Sequence, residues 1–336
     1  MKGFFYFFFL GLYANAFSQS ASTKMNVPMN DLLIDAGGHK LHLHVTGNGS
    51  PAVIFENGSG DFSFIWSLVQ PQVSEFTKSI SYDRAGYAWS ESGPVPRTAH
   101  QLSFELHTAL QNARIKPPYI LVGQSFGGFL VRAFARHYPK EVAGMVLVDV
   151  VPENGRILIG GKPTRIREFA SGRPEPTLQQ FFKSAYNEMI DSSAAAQAVI
   201  EPPLDRLPDS IQKLQLWAQV QKKYIDASSA EMEWSPEDVA NLYRHQGEAA
   251  YKLGNIPLIV ITRGKGGYDG RSDSLELETE RIQLQKELSQ LSTNSKFIVD
   301  QNSGHNIHLE DPAMVIQCIR EVYEAAKNHK RLKASK

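Results

Sequence analysis

YILVGQSFGG, residues 119–128, decides how the rest of the chain is read. Tyr119 to Val122 is a run of aromatic, β-branched and aliphatic residues, the composition of a buried strand. Gly123 and Gly127 flank Ser125 in a G-x-S-x-G pattern. From Phe129 to Ala135 the apolar spacing is that of an amphipathic helix ending near Tyr138-Pro139. A strand, a sharp turn and a helix present the serine hydroxyl at the top of a sheet, beside a helix N-terminus that favours developing negative charge. Alone, the pattern is also that of any glycine-rich strand-to-helix turn, so the remaining chain must supply the partners.

The chain has 336 residues, 42% hydrophobic and 21% charged, with a formal net charge of zero, which suits one large α/β domain with an insertion. A neutral balance gives no reason to expect nucleic acid or anionic membrane as partner. Met1-Lys2 precedes an apolar run from Phe4 to Tyr13 and then Ala14-Asn15-Ala16, the form of a secretory signal over 1–18. The expected location is therefore secreted or periplasmic, without stable membrane insertion after cleavage. Cys318 is the single cysteine, so no intramolecular disulfide forms, and its apolar neighbours make it a small buried hydrophobe.

In chain order, 19–30 is a polar linker and 31–150 the first part of a core. Strands are expected at Asp31–Asp35, Leu41–Val45, Ala52–Phe55 and Ser79–Tyr82, a helix at Ala99–Ala113, and a strand at Gly144–Val148. His42 and His44 alternate with apolar residues and read as the polar face of a strand, since no further metal ligands stand near them. Asp83 and Arg84 read as structural groups that pin a loop. From 151 to 255, glycine and proline punctuate helical segments, with helices expected at Leu204–Ser229 and Pro236–Tyr251. This is an inserted helical cap carrying Phe169, Phe181, Phe182, Trp217, Tyr224 and Trp234. The core resumes over 256–328 with strands Pro257–Thr262 and Lys296–Val299, a helix Ser274–Leu291, and a last helix Ala313–Ala326 capped by Asp311-Pro312. A basic tail, 329–336, closes the chain. Strands alternating with helices predict a mostly parallel, doubly wound sheet.

A serine nucleophile needs a base, and the base needs an orienting acid. His305 follows a late strand, after Gly304. His308, amid Ile307 and Leu309, reads as packing. Two acids compete: Asp149, closing the strand after the serine's helix, and Asp269, beyond the next core strand. Asp149 is preferred because a strand end at the carboxyl edge of the sheet fixes it rigidly.

Together, NGSG at 57–60, YDRAGYAWS at 82–90, GQSFGG at 123–128, LVD at 147–149 and SGHNIHLEDP at 303–312 resemble the α/β-hydrolase superfamily, in its single-chain branch with a helical cap. The resemblance implies an eight-stranded, mostly parallel core and hydrolysis through an acyl-serine. It implies Ser125 as nucleophile, His305 as base, Asp149 as acid, and the amides of Phe126 and Ser59 (or Gly58) as oxyanion donors. Two departures stand out. Asn57 replaces the usual histidine before the oxyanion-loop glycine, and Lys265, Gly266 and Gly267 occupy the common acid position. Ser125 excludes the aspartate nucleophile of dehalogenases and epoxide hydrolases. The expected reaction is cleavage of a small ester, amide or lactone with an apolar group, without metal or cofactor. Carbon–carbon bond hydrolysis, release of an N-terminal residue, and non-catalytic ligand binding are the competing readings.

Overall fold

The computed structural model describes residues 25–179 and 198–332. The expected signal at 1–18, Phe181, Phe182 and the end of the basic tail lie outside the described residues. Ten strands are described: β1 Leu32–Asp35, β2 Lys40–Thr46, β3 Ala52–Glu56, β4 Ser79–Asp83, β5 Tyr119–Gln124, β6 Val142–Val148, β7 Arg156–Ile159, β8 Lys162–Arg165, β9 Leu258–Arg263 and β10 Ser295–Asp300. Eight of them form one sheet in the order β1-β2-β4-β3-β5-β6-β9-β10. Only β2 pairs antiparallel, with β1 and β4; from β4 to β10 every pairing is parallel. The expected eight-stranded, mostly parallel, doubly wound sheet is the one found.

Parallel strands covered on both faces need apolar residues on both, which is why β3, β5, β6 and β9 read as nearly continuous apolar runs. Ile54, Leu121, Leu147 and Val260 pack on one side with Leu106, Leu110, Val131 and Phe134. These last four come from α2 (Ala99–Asn112) and α3 (Gly127–His137). Val53, Phe55, Ile120, Val122, Val146 and Ile261 face the other way, onto Trp66, Val69, Val315, Ile319 and Val322. That layer holds α1 (Gln70–Ser74) and the C-terminal helix Pro312–Lys327, whose first turn is capped by Asp311 accepting from the Met314 amide at 3.0 Å. Cys318 is buried there, and burial pushes its thiol up to about 12.

The insertion differs from expectation in two places. Gly160-Gly161 does not separate helices; it turns the antiparallel hairpin β7–β8. Among the described residues the insertion's α-helices are α4, Asp209–Ala218, and α5, Lys222–His245, so the break falls at Gln219–Gln221 and α5 continues through Pro236. A proline inside a helix costs about 3 kcal/mol, and contacts on both sides of Pro236 offset it. Lys223 Nζ donates to the carbonyls of Ala88 and Ser90 at 2.6 and 2.7 Å, and Glu231 lies buried against Arg84. Beyond the proline, Glu237 accepts from the Ser171 and Gly172 amides, and Asp238 from the Ala99 amide. The remaining helices are α6, Ser274–Leu288, α7, Ile307–Glu310, and α8, the Pro312–Lys327 helix.

His42 also departs from its reading. His44 is half-exposed, but the His42 ring is buried, with Nδ1 2.7 Å from Asp83 and Nε2 2.9 Å from Asp31. Burial opposes its charge, yet the two carboxylates outweigh it and raise the ring from 6.5 to about 9. A histidine raised in the folded state stabilises fully below its unfolded value and loses that contribution as pH rises through the folded one. Stability from His42 should therefore fall between pH 6.5 and 9. Urea unfolding across this window should show a flatter alkaline loss in His42→Gln than in the wild type; parallel curves would refute the assignment.

Candidate active site

Strand register assembles the site. Glu56 pairs with Gly123, Gln124 with Val148, Val148 with Ile261, and Arg263 with Asp300. The residues after these strand ends therefore meet along one edge: Asn57–Gly60, Ser125, Asp149, the Arg263 loop and His305. Strands β4 and β5 flank β3 on opposite sides, making this edge a topological switch point, where open α/β sheets bind ligands.

Ser125 has φ 51°, the left-handed region that costs a residue with a Cβ about 1–3 kcal/mol. Packing enforces the turn. A Cβ on Gly123 would sit 2.6 Å from the Gly127 carbonyl oxygen, and one on Gly127 would sit 2.5 Å from that of Glu56. Phe126 is the N-cap of α3, so its amide belongs to the helix end whose donors have no intrahelical acceptor.

His305 Nε2 lies 2.9 Å from Ser125 Oγ, and His305 Nδ1 lies 2.7 Å from Asp149 Oδ2. An ionised carboxylate only accepts, so Nδ1 carries the ring hydrogen and Nε2 faces the hydroxyl as acceptor. Asp149 is buried at φ 40° directly after β6. Its Oδ1 accepts from the Thr262 hydroxyl and the Arg263 amide, each at 3.0 Å, and its Oδ2 from Arg263 Nη1 at 2.7 Å. Burial opposes the charge, but His305 and the guanidinium of Arg263 hold the carboxyl well below the usual carboxylate range. Asp269 is exposed on the Gly264–Gly270 loop and makes no hydrogen bond to His305 among the described residues. His308 is buried against Trp66 with ring centroids 4.8 Å apart, and burial pushes it down to about 3. It is a packing residue, as read.

The loop after β3 is shaped from behind by Arg84, which donates to the carbonyls of Asn57 at 3.0 Å and Gly58 at 2.9 Å. In a trans peptide the following N–H points opposite to the carbonyl. The amides of Gly58 and Ser59 are thus turned away from Arg84. Asn57, at the departure from the family pattern, donates to the Tyr82 carbonyl and accepts from Trp66 Nε1, anchoring the loop in place of a histidine. The position a Gly58 Cβ would take lies 3.4 Å from Ser125 Cβ, 2.6 Å from Asp61 Oδ2 and 2.4 Å from Gln124 Oε1, so Asp61 and Gln124 also border the site. Burial raises Asp61 to about 6, against the pull of Arg84 and His305.

The sequence reading did not single out Asp61, Thr262, Arg263, Arg281 or Glu231. The one available signal was Arg263, an arginine closing an apolar strand where the resemblance expects an acid shortly afterwards. Of the cap aromatics, Trp217 packs on Trp89 with centroids 5.2 Å apart, and Trp234 lies under Arg173. Phe169 is exposed. Tyr224 reaches the site edge, its hydroxyl donating to the Gly60 carbonyl at 3.1 Å.

A family model described as alpha/beta hydrolase fold matches residues 51–312. The chain belongs to the alpha/beta hydrolase family. Among known proteins, the uncharacterized protein YqjL of Bacillus subtilis is 25% identical over 283 residues, covering 84% of this chain and 87% of YqjL. A 2-hydroxy-6-oxo-2,4-heptadienoate hydrolase of Pseudomonas putida is 32% identical over 138 residues, 38% of this chain and 47% of that enzyme. Of solved structures, a thermophilic esterase from Thermogutta terrifontis matches with TM-score 0.59 at 17% identity, over 88% of this chain and 99% of that one. The meta-cleavage product hydrolase of Pseudomonas fluorescens gives 0.57 at 17%, over 88% and 97%. At such identities the structural likeness speaks for the fold.

The two candidate acids make opposite forecasts. Asp149→Asn should lower kcat by about 10⁴-fold, as loss of the orienting charge does in serine triads, while Asp269→Asn should leave it nearly unchanged. Steady-state kinetics on one ester decides; a crippled Asp269→Asn beside a normal Asp149→Asn would reverse the assignment.

Proposed function

We propose that this hydrolase is an exported serine hydrolase that cleaves a small ester bearing an apolar group. The observation that carries the reading is the unbroken line of hydrogen-bond distances from Ser125 Oγ through His305 to Asp149 Oδ2. Ser125 Oγ attacks the ester carbonyl while His305 Nε2 takes the hydroxyl proton. Asp149 stabilises the imidazolium and fixes its orientation. The tetrahedral oxyanion accepts from the Phe126 amide and from the Ser59 or Gly58 amide. Collapse expels the alcohol, which receives the proton from His305, and leaves an acyl-serine. Water, deprotonated by His305, then releases the acid and restores Ser125.

Tyr224, whose hydroxyl reaches the Gly60 carbonyl, and the thioether of Met232, 3.6 Å from Ser59 Oγ, lie against the loop after β3 and favour an apolar acyl or alcohol group. Amides and lactones would react by the same attack. A second reading, cleavage of a carbon–carbon bond with the same residues, is favoured by the likeness to the Pseudomonas putida and Pseudomonas fluorescens hydrolases. Export rests on the apolar segment at 1–18 and its A-x-A site.

A fluorophosphonate probe should label the wild type at Ser125 and fail on Ser125→Ala. The same variant should keep its fold and lose on the order of 10³-fold or more in kcat. An unlabelled, correctly folded wild type would favour a ligand-binding protein instead. A panel of p-nitrophenyl esters, lactones, aminoacyl amides and vinylogous diketones should show esters turned over fastest. For export, mass spectrometry of protein from the native host should find a mature start near Phe17 or Gln19; an intact Met1 on cytoplasmic protein would exclude it.

A further inference from the structure

Far from the serine, three side chains from three segments converge. His100 lies in the first turn of α2, His137 is the last residue of α3, and Glu175 comes from the insertion. The two imidazoles are stacked, with centroids 3.7 Å apart and planes 4° from parallel. His100 Nδ1 is 3.2 Å from Glu175 Oε1, and one ligating atom from each residue lies within 4.8 Å of the other two.

We propose that His100, His137 and Glu175 form a binding site for a zinc-class divalent ion that clamps the insertion to the α/β core. Two nitrogens and a carboxylate oxygen are the donor types zinc takes at about 2.0–2.2 Å, leaving a fourth, tetrahedral position for water. Ligand atoms around such an ion stand about 3.3 Å apart, so His100 and Glu175 are already at spacing. Imidazole lone pairs lie in the ring planes, so the two stacked rings must turn out of their stack to converge on one ion, and the exposed Glu175 segment follows them. A divalent ion would draw both imidazoles and the carboxylate together as ligands of one centre.

The surroundings agree. The carbonyls at the C-terminus of α3 favour a cation there. Glu175, Glu237 and the half-buried Asp238 bring three carboxyl groups to the seam. Arg136, next to His137 in sequence, lies over the Tyr251 ring with its carbon 4.6 Å from the centroid. Around Glu175 the insertion is otherwise tied to α2 by the Gln101 side chain, which accepts from the Gln179 amide at 2.9 Å and donates to its carbonyl at 3.3 Å. The twelve residues from Ser125 to His137 span about 18 Å of helix, so the ion takes no part in the hydrolysis.

Tag-free, chelator-stripped full-length protein should be titrated with Zn²⁺ by calorimetry and with Co²⁺ by visible absorption. The expected result is one saturable submillimolar site, a tetrahedral Co²⁺ band, and a Tm that rises with Zn²⁺. His100→Ala, His137→Ala and Glu175→Gln should each weaken binding by about tenfold or more. Glu175→Gln alters an exposed loop residue, so it reports even where a histidine variant is unstable. Ser125→Ala should bind the ion normally, and stripped wild type should hydrolyse esters at the loaded rate. Absence of saturable binding, or equal affinity in all three variants, would overturn the site.

Discussion

A single buried guanidinium holds the site and the insertion in one arrangement. Arg84 has no access to water, so each of its five N–H groups needs an acceptor inside the protein. Nη1 donates to Glu56 and the Asn57 carbonyl, and Nη2 to the Gly58 carbonyl, while Glu231 of α5 accepts at Nε and lies 3.1 Å from Nη2. The Tyr87 ring covers one face at 4.7 Å. Removing one partner of a buried pair strands the other charge at a cost of about 3–5 kcal/mol. Loop and helix therefore cannot shift independently of each other. The direction of the Gly58 and Ser59 amides, and the seat of α5 beside them, are two consequences of the same charge.

Charge balance around Arg84 explains the protonation of its neighbours. Arg97 adds a second buried cation, bonded to Glu105 at 3.0 Å and 3.6 Å from Glu231. Three buried carboxyls, Glu56, Glu105 and Glu231, thus share two guanidinium groups. Burial raises Glu56 to about 7 despite Arg84, whereas Arg97 and His39 outweigh burial at Glu105 and hold it near 2. Glu56 lies between Arg84 Nη1 and the hydroxyl of Tyr82, both of which donate to it, and burial opposes its charge.

Local chemistry made much of this legible in the sequence. The elbow is encoded within ten residues, because an apolar strand, two glycines and a helix face leave one way to turn. The β6 and β10 ends were readable for the same reason, so the neighbourhood of Asp149 and His305 followed from strand order and register. What stayed hidden depends on partners distant in sequence. Lys223, Ala227, Glu231 and Ser235 form the buried stripe of α5, a mixture that looks like a solvated face until Arg84, Arg97 and the Ala88 carbonyl are set against it. Pro236 was read as the first residue of a second helix, because its cost inside a helix is local and its compensation is tertiary. His42 looked like half of a polar face, since nothing in β2 reveals that Asp31 and Asp83 close over it.

In the proposed triad, the end of β9 explains how the acid can sit one strand away from the common family position. Three groups from that strand end, the Thr262 hydroxyl, the Arg263 amide and the Arg263 guanidinium, all point at the Asp149 carboxylate, and Arg281 of α6 stands 3.5 Å behind. Arg281 also donates to Thr262 at 2.6 Å and to the Arg263 carbonyl at 2.8 Å, locking the socket from its own side. These donors leave Asp149 Oδ2 shared between Arg263 and His305. A carboxylate gripped this way has little freedom to rotate, and small misplacements of an orienting group are costly in rate. The glycine-rich loop that follows, which would have to carry a mobile acid, is instead fastened by Arg263 Nε to the Gly266 carbonyl at 2.9 Å. In the proposed triad, strand β9 therefore supplies the support for the acid that β6 carries, and rigidity at the sheet edge takes over the task that a loop performs at the common position.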